Sequence, residues 1–379
     1  MAPSTILEPI PTDGALWGTV VSVQANYYWV RLEPQEGQTL LPRFTLLCTR
    51  RARLKKVGQR VMVGDSVLVE EPDWEGNRGA IAAVKPRQTQ LDRPPIANAN
   101  QILLVFALAE PDLEPYQLTR FLVKAELTGL DVCVCLNKRD LVNTERQAAW
   151  QARLSAWGYP PIMISVWHDE SIAPLTEALC DRITVVSGPS GVGKSSLINK
   201  LIPAMDLRIS AVSGKLGRGR HTTRHVELFE LPQGGLLADT PGFNQPDINC
   251  TPEALGHCFR EIRDRLQNAQ CQFTDCLHRG EPGCAVQSDW ERYPTYLELL
   301  EECIGQTQDL NDSPNPDEVF KVKVTEAGQV QHEPRLQAKK YRRISRRSRK
   351  QTLQELRYEL TDSLENLEIR EEEDWDSEF

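Results

Sequence analysis

Short segments that alternate apolar and polar residues fill positions 15–90. Five of them are rich in β-branched and aromatic residues, and turn residues separate them: LWGTVVSV, YYWVRL, FTLLC, SVLVE and GAIAAV. Five short strands in succession predict a small barrel, preceded by a flexible, proline-containing segment at 1–14. The barrel is of either the oligonucleotide-binding (OB) type or the SH3-like type, and strand spacing alone does not choose between them.

The hydrophobic pattern changes over residues 91–249, where near-continuous apolar runs alternate with segments of helical spacing. Strands are predicted at 101–108, 131–138, 161–166 and 182–188, with helices at 115–129, 144–157 and 171–180. Apolar strands that alternate with helices predict a parallel sheet covered by helices on both faces.

A third pattern begins at residue 250. Helices are predicted at 251–262 and 289–304, and a loop dense in cysteine and histidine lies between them. Residues 311–379 contain a linker, two short β-like pieces (VFKVKVT and GQVQHEP), a basic run and an acidic end. We expect this charged tail to be disordered, which leaves 250–310 as a helical domain.

Composition and net charge alter this picture little. The 379 residues carry a formal net charge of -9, which alone argues against a nucleic-acid partner but conceals the basic run at 339–350. No apolar stretch reaches the ~18 residues of a membrane span, and the first residues lack the features of a signal peptide. We therefore expect a cytoplasmic protein without a membrane partner, with reduced cysteines.

One motif predicts phosphate binding. It follows an apolar strand, precedes a helical segment and fits G-x-x-x-x-G-K-S. Backbone N–H groups of such a loop point at phosphate oxygens, and the helix that follows adds the positive end of its dipole. Lys194 is expected to reach the β and γ phosphates, and Ser195 to bind Mg²⁺. The candidate residues are Gly188, Pro189, Ser190, Gly191, Val192, Gly193, Lys194, Ser195 and Ser196.

A second motif, N-K-R-D, directly follows the strand at 131–138. Guanine offers an N1–H and an N2 amine on one edge, and the carboxylate of Asp140 can accept from both, whereas adenine offers no such pair. Asn137, Lys138 and Arg139 would hold the ring and the loop. Ser165 lies where a loop that backs the base is expected, although Val166 departs from the usual Ser-Ala pair.

Two further segments have the form of nucleotide switches. Asp239 begins a D-T-P-G sequence, in which it would hold Mg²⁺ and the Gly242 N–H would sense the γ-phosphate. The loop G-R-G-R-H-T-T precedes it, and Thr222 or Thr223 could bind Mg²⁺; of the two we choose Thr223. Phe243 stands where many GTPases have a water-orienting Gln, so His221 becomes a candidate for that role, although an ordinary loop histidine is an equal alternative.

The order of these motifs is permuted. N-K-R-D precedes the phosphate loop in this chain, whereas in Ras-like GTPases it follows it. Permutation is compatible with one fold because domain termini usually lie close together at the surface. It also joins the D-T-P-G segment directly to the cysteine-rich domain, so the nucleotide state could be transmitted there.

The cysteine-rich loop contains three thiols and one imidazole within a short stretch: Cys271, Cys276, His278 and Cys284. Such a set closes a tetrahedral Zn²⁺ shell and leaves no open position, so it predicts a structural zinc site. Cys250, Cys258, His257 and Cys303 lie outside this spacing and are interpreted as packing residues.

Taken together, N-K-R-D, G-P-S-G-V-G-K-S-S, G-R-H-T-T, D-T-P-G-F and the cysteine–histidine spacing resemble the ribosome small-subunit-dependent GTPase A family over about residues 15–305. The resemblance implies an OB-like barrel, a central circularly permuted α/β P-loop GTPase domain and a C-terminal helical zinc-binding domain. It also implies GTP hydrolysis stimulated by the small ribosomal subunit, a role in its late maturation, contact with its rRNA, and His221 as the water-positioning group. Pro189, Val166 and Arg224 depart from the family pattern.

Two other functions stay open at this point. A GTP-binding, rRNA-binding adaptor with little catalysis is compatible with Phe243. A nucleoside-monophosphate kinase is suggested by the string SGPSGVGKSSL, although such kinases have neither N-K-x-D nor D-T-P-G. A monomer is expected in each case.

Overall fold

The computed structural model describes residues 16–33, 44–92, 94–202, 226–239, 247–312, 320–324 and 330–334. The first part is a closed barrel with the strand order β1-β2-β3-β5-β4. Its strands are β1 (Leu16–Gln24), β2 (Tyr27–Leu32), β3 (Thr45–Arg50), β4 (Ser66–Asp73) and β5 (Arg78–Val84), with helix α1 (Ala52–Lys56) after β3. The five strands coincide with the five predicted segments, so the small barrel is confirmed.

A short ribbon and a six-stranded sheet follow the barrel. The ribbon pairs β6 (Gln90–Asp92) with β7 (Pro95–Ala97). The sheet has the order β10-β9-β8-β11-β13-β12. Its strands are β8 (Gln101–Ala107), β9 (Asp131–Asn137), β10 (Ile162–Met163), β11 (Ile183–Ser187), β12 (Leu228–Glu230) and β13 (Leu236–Asp239).

Helices cover both faces of this sheet, as the apolar strands predicted. They are α2 (Pro115–Glu126), α3 (Thr144–Ala156), α4 (Ala173–Ala178) and α5 (Lys194–Leu201). Residues of α2 and α3 pack with the side chains of β8 on one face, and residues of α4 and α5 pack with the alternate side chains of β8 on the other. Every residue of β8 is buried, which is the pattern of a central strand.

The four strands that the sequence predicted pair in parallel, and the sheet has in addition an antiparallel strand at one edge that the sequence did not predict. β12 runs antiparallel to β13, whereas the other pairings in the sheet are parallel. The cause is a tight connection, in which Leu231 N donates to Gly235 O and Gly234 N donates to Leu231 O. A turn of this length can join only antiparallel neighbours, because a parallel pair needs a crossover.

The helical domain differs from its prediction at one point. In place of one helix over 251–262 there are two, α6 (Pro252–His257) and α7 (Arg260–Asn268). They are separated at Phe259, whose backbone is extended and whose side chain is fully buried. Its ring packs edge-on against Trp290 and Tyr296, so burial of this aromatic side chain outweighs continuation of the helix.

The last described helix, α8 (Tyr293–Asp312), extends beyond its predicted end at residue 304. The chain divides into two compact units, 1–307 and 308–379. In the second unit β14 (Phe320–Val324) pairs antiparallel with β15 (Val330–Pro334). These strands coincide with the two β-like pieces of the sequence, VFKVKVT and GQVQHEP; the alternation V-x-V suits a strand. The part of the chain that the structure describes contains no helix long and apolar enough to cross a membrane.

Buried charges fasten the helical domain to the α/β domain. Glu126, at the end of α2, accepts hydrogen bonds from Tyr159 Oη at 2.7 Å and from Arg263 Nη1 at 2.6 Å. Burial alone would raise the pKa of Glu126, but the hydrogen bonds from Arg263 and Tyr159 hold it below its ordinary value. The carboxylate therefore stays ionised while it bridges the two domains.

Arg292 is the second buried charge of this junction, with 2% of its surface exposed. It donates to Glu261 through Nε at 2.8 Å and through Nη2 at 2.5 Å. Its guanidinium carbon also lies 4.9 Å from the ring centre of Trp157 and 5.0 Å from that of Phe259. Glu261 and Arg292 both belong to the helical domain, so their ion pair fixes the guanidinium in place. Trp157 belongs to the α/β domain, and its contact with this guanidinium joins the two domains.

We expect the substitution Glu261→Gln to lower the free energy of unfolding by about 3–5 kcal/mol, because it leaves a buried arginine without its counter-charge. Chemical denaturation followed by tryptophan fluorescence measures this change. Asp112→Asn is the matched control, since the Asp112–Arg146 pair is exposed and should cost about 0–1 kcal/mol. Equal effects of the two substitutions would contradict the proposed importance of the buried pair.

Candidate nucleotide site and metal centre

The predicted phosphate loop connects β11 to α5, and its glycines are fixed by close backbone contacts. Gly188 has a φ of 140°, and a Cβ at this position would lie 2.1 Å from Val105 O in β8. Gly193 has a φ of 93°, and its Cβ would lie 2.5 Å from Asn137 Nδ2. Both positions require glycine, so the loop closes directly against the central strand and the end of β9.

Lys194, the first residue of α5, lies across this loop. Its Nζ donates hydrogen bonds to Gly188 O at 2.8 Å and to Pro189 O at 2.5 Å. Ser190, Gly191, Ser195 and Ser196 are exposed around the loop, whereas Val192 is buried beneath it. A glycine-rich turn, a helix N-terminus and an ammonium group together fit a polyphosphate.

The N-K-R-D residues touch this loop through two hydrogen bonds. Asn137 is 2% exposed and ends β9, and its Nδ2 donates to Val192 O at 2.9 Å. Lys138 has a φ of 59°, and its Nζ donates to Gly191 O at 3.0 Å and also to Glu110 O. Arg139 and Asp140 follow on a 3-10 turn, where Asp140 is exposed. The structure thus brings the predicted base-binding and phosphate-binding segments together.

Ser165 lies beside the same motif. Ile164 N donates to Leu136 O at 2.8 Å and Arg139 N donates to Ile164 O at 3.1 Å, so backbone bonds join the two loops. Ser171 holds the position of Ser165, because its Oγ accepts from Ser165 N at 2.9 Å. The sequence does not predict this role of Ser171, because a serine six residues after Ser165 is too common to be a signal. It also does not predict the hydrogen bond from Lys138 Nζ to Glu110 O.

Two buried oxygens of these loops have no hydrogen-bond partner among the described residues: Asn137 Oδ1 and Ser165 Oγ. An unsatisfied buried polar atom costs about 1–3 kcal/mol. Native proteins retain such atoms mainly where a ligand or water completes them. A nucleobase bound between the two loops would bring polar groups that can form hydrogen bonds with these two oxygens.

The predicted switch residues fall largely outside the described part of the chain. This applies to His221, Thr222, Thr223, Gly242 and Phe243. Asp239 is described as the last backbone position of β13, where it pairs with Val186 of β11. It therefore ends the strand next to the one that leads into the phosphate loop.

The four predicted zinc ligands form one cluster. Their sulfur and nitrogen atoms all lie within 4.8 Å of one another. His278 Nδ1 is 3.6 Å from Cys271 Sγ, 3.6 Å from Cys276 Sγ and 3.5 Å from Cys284 Sγ. Bond lengths of about 2.3 Å to sulfur and 2.0–2.1 Å to nitrogen in a tetrahedral Zn²⁺ site place the ligand atoms about 3.6–3.8 Å apart. The donor set and its spacing fit a zinc ion.

Surrounding groups hold the cluster in shape. Ala285 N lies 3.4 Å from Cys271 Sγ and Val286 N lies 3.3 Å from Cys284 Sγ, so both N–H groups donate to ligand sulfurs. Tyr296 Oη donates to Leu277 O at 2.5 Å and Tyr293 Oη donates to His278 O at 3.2 Å. The metal loop is therefore anchored on α8.

Comparison with known proteins identifies the family. A model of the RsgA GTPase family matches residues 84–249. The small ribosomal subunit biogenesis GTPase RsgA of Trichormus variabilis is 60% identical over 361 residues, which cover 91% of this chain and 98% of that protein. The chain belongs to the RsgA GTPase family.

Solved structures support the same assignment. YjeQ from Thermotoga maritima is 31% identical with a TM-score of 0.63, covering 77% of this chain and 99% of its own. YloQ, described as a circularly permuted GTPase, is 30% identical with a TM-score of 0.64, covering 77% of this chain and 96% of its own. The chain is therefore a circularly permuted GTPase that hydrolyses GTP, and the family implies Mg²⁺ with the nucleotide.

We expect the substitution Cys276→Ser to remove the metal from the chain, because a hydroxyl is a far weaker zinc ligand than a thiolate. Elemental analysis of the purified chain should give about one zinc per wild-type chain and near none for the variant. Cys258→Ser is the matched control: Cys258 is a buried cysteine of the same domain, outside the cluster. Full zinc content in the Cys276 variant would contradict the ligand assignment.

Proposed function

We propose that the chain binds the small ribosomal subunit and hydrolyses GTP during its late maturation, and that hydrolysis triggers its release. The names of close relatives, small ribosomal subunit biogenesis GTPases, support the pathway. The observation that carries the nucleotide specificity is the contact of the N-K-R-D loop with the phosphate loop, through Asn137 and Lys138. This contact fixes the distance between a base reader and a phosphate cradle.

The proposed roles at the nucleotide follow from the chemistry of each group. Asp140 accepts from the guanine edge, while Asn137, Lys138, Arg139 and Ser165 support the base. Residues 188–196 hold the phosphates through backbone N–H groups and the Lys194 ammonium. When Mg²⁺ is bound with the nucleotide, it offsets phosphate charge, and Ser195, Thr223 and Asp239 would hold it.

Positioning of the attacking water is assigned to the switch segments. Phe243 has no group that can orient water, so we assign that role to His221, and the sensing of the γ-phosphate to the Gly242 N–H. The choice of Thr223 rather than Thr222 as the magnesium ligand is part of the same proposal.

The barrel is proposed to be of the OB type and to contact rRNA. Parallel pairing of β3 with β5 supports the OB type, because SH3-like barrels pair neighbouring strands antiparallel. Three large aromatic side chains are exposed on the barrel, as bases stacking on a protein surface would require: Tyr27, Trp29 and Trp74.

The remaining assignments concern the metal and the organisation of the chain. We propose one structural Zn²⁺ held by the four clustered ligands, with domains at 15–90, 91–249 and 250–310. A charged, disordered tail at 311–379, a monomeric state and a cytoplasmic location are further parts of this proposal. Membership in a GTPase family favours this function over a non-catalytic adaptor and over a nucleoside-monophosphate kinase.

We expect Asp140→Asn to weaken GTP binding by about 100-fold or more, because two hydrogen bonds to a charged acceptor contribute about 1.5–3 kcal/mol each. The same change should improve binding of xanthosine triphosphate, which has a carbonyl oxygen where guanosine triphosphate has the N2 amine. Competition with a fluorescent nucleotide measures both affinities. Unchanged GTP affinity would contradict the assigned role of Asp140.

We expect purified small ribosomal subunits to accelerate GTP turnover by the full chain, since the proposed cycle couples hydrolysis to release from the subunit. Release of phosphate is measured with and without subunits, and Lys194→Ala serves as the inactive control. Large ribosomal subunits at the same concentration control for non-specific RNA effects. Turnover that small subunits leave unchanged would refute the proposed partner.

A further inference from the structure

Two cysteines outside the zinc cluster lie side by side in the helical domain. Cys250 Sγ is 3.6 Å from Cys303 Sγ. The sequence interpretation took both as packing residues, and they do pack in the core of this domain. The contact is nevertheless a specific one, because it joins sulfur to sulfur across two separate segments of the chain.

The two thiols differ in how they are held. Cys303 is fully buried in the middle of α8, whereas Cys250 is half-buried in the irregular segment just before Thr251 caps α6. Ile248, two residues earlier, is anchored in the same core. One thiol is therefore rigid and enclosed, and its neighbour is reachable and lies on a segment free of helical constraint.

A disulfide has an S–S length of about 2.05 Å, so the sulfurs must approach each other by about 1.5 Å. Closing the bond therefore needs a side-chain rotation at Cys250 and a small shift of its backbone. The thiol–thiol hydrogen bond lowers the pKa of Cys303 and raises that of Cys250. Cys303 is therefore the better nucleophile of the pair, whereas Cys250 is the sulfur that a small oxidant can reach.

The third cysteine of this core is placed differently. Cys258 Sγ lies 3.4 Å from Ala254 O within its own helical turn, and no sulfur contact to it is found among the described residues. It is buried like Cys303, but no sulfur of the described residues lies within hydrogen-bond distance of its own. Cys258 can therefore serve as the control cysteine for the Cys250–Cys303 pair.

We propose that Cys250 and Cys303 are a reversible oxidation site that closes to an intramolecular disulfide in response to peroxide. Hydrogen peroxide transfers one oxygen to Cys250 Sγ, its O–O bond breaks, and water leaves with the thiol proton. Cys303 Sγ then attacks the sulfenic acid: the S–S bond forms, the S–O bond breaks, and a second water leaves. Two thiols and one peroxide give one disulfide and two waters, and a dithiol reverses the change by becoming a disulfide itself.

The place of this pair in the fold gives the disulfide a consequence. The segment from 250 to 303 contains all four zinc ligands, so the new bond would tie together the two ends of the metal domain. Glu302, next to Cys303, accepts from both terminal nitrogens of Arg120 in α2, at 2.5 and 3.0 Å. The oxidised domain would therefore stay closed and attached to α2 even when zinc is withdrawn.

The test treats the zinc-loaded full chain with hydrogen peroxide, at doses that a chromogenic chelator shows to release no zinc. Remaining thiols are blocked with N-ethylmaleimide, and peptides are mapped without reduction. We expect a peptide pair linked through Cys250 and Cys303 that dithiothreitol separates. Blocked thiols at both positions, or a link from Cys250 to Cys258, would overturn the proposal.

Two variants sharpen the result. Cys303→Ser should give a Cys250 sulfenic acid that dimedone captures, whereas Cys258→Ser should leave the yield of the linked peptide within about twofold of wild type.

In a second measurement a chelator removes zinc, and trypsin digests the oxidised and reduced chains. Digestion of residues 250–303 should be about tenfold slower in the oxidised chain, and equal rates would contradict the bracing role of the disulfide.

Discussion

The hydrogen bond from Asn137 Nδ2 to Val192 O is the contact on which the nucleotide site depends. It joins the end of β9 to the phosphate loop after β11, across the central strand β8 and over a separation of 55 residues. Gly193 lies so close to this amide that a larger residue has no room. Both loops are fixed at the same end of the sheet, so a base and its phosphates are bound at a set distance. This arrangement is the same whichever of the two loops comes first in the sequence.

Circular permutation changes what this sheet edge is connected to. β13 ends at Asp239, and Ile248, nine residues further along the chain, lies in the core of the helical domain. Two contacts fasten that domain to the α/β domain. Arg263 donates to the buried Glu126 of α2, and Arg292 packs on Trp157. In the sequence, D-T-P-G-F therefore connects the sheet to the helical domain, which is the connection that the proposed transmission of nucleotide state would use.

Much of this arrangement could be predicted from residue patterns because the determinants are local. Glycines, a P-loop lysine and the cysteine–histidine spacing each dictate their own geometry, and apolar runs marked the barrel and most of the sheet. The break at Phe259 and the antiparallel β12 could not be predicted, since each depends on tertiary contacts or on a turn rather than on periodicity. The interdomain charges of Glu126 and Arg292 look like ordinary surface residues until the fold buries them.

The central claim is that the permuted segments assemble one guanine-selective P-loop site. The most direct measurement is the affinity of the full chain for GTP and for ATP, by calorimetry in the presence of Mg²⁺. The phosphates are identical, so the two affinities differ only through the base. A site that pairs Asp140 with the guanine edge should reject ATP by about 10³-fold or more. Affinities within tenfold of each other would contradict the claim, because the N-K-R-D loop would then not read the base.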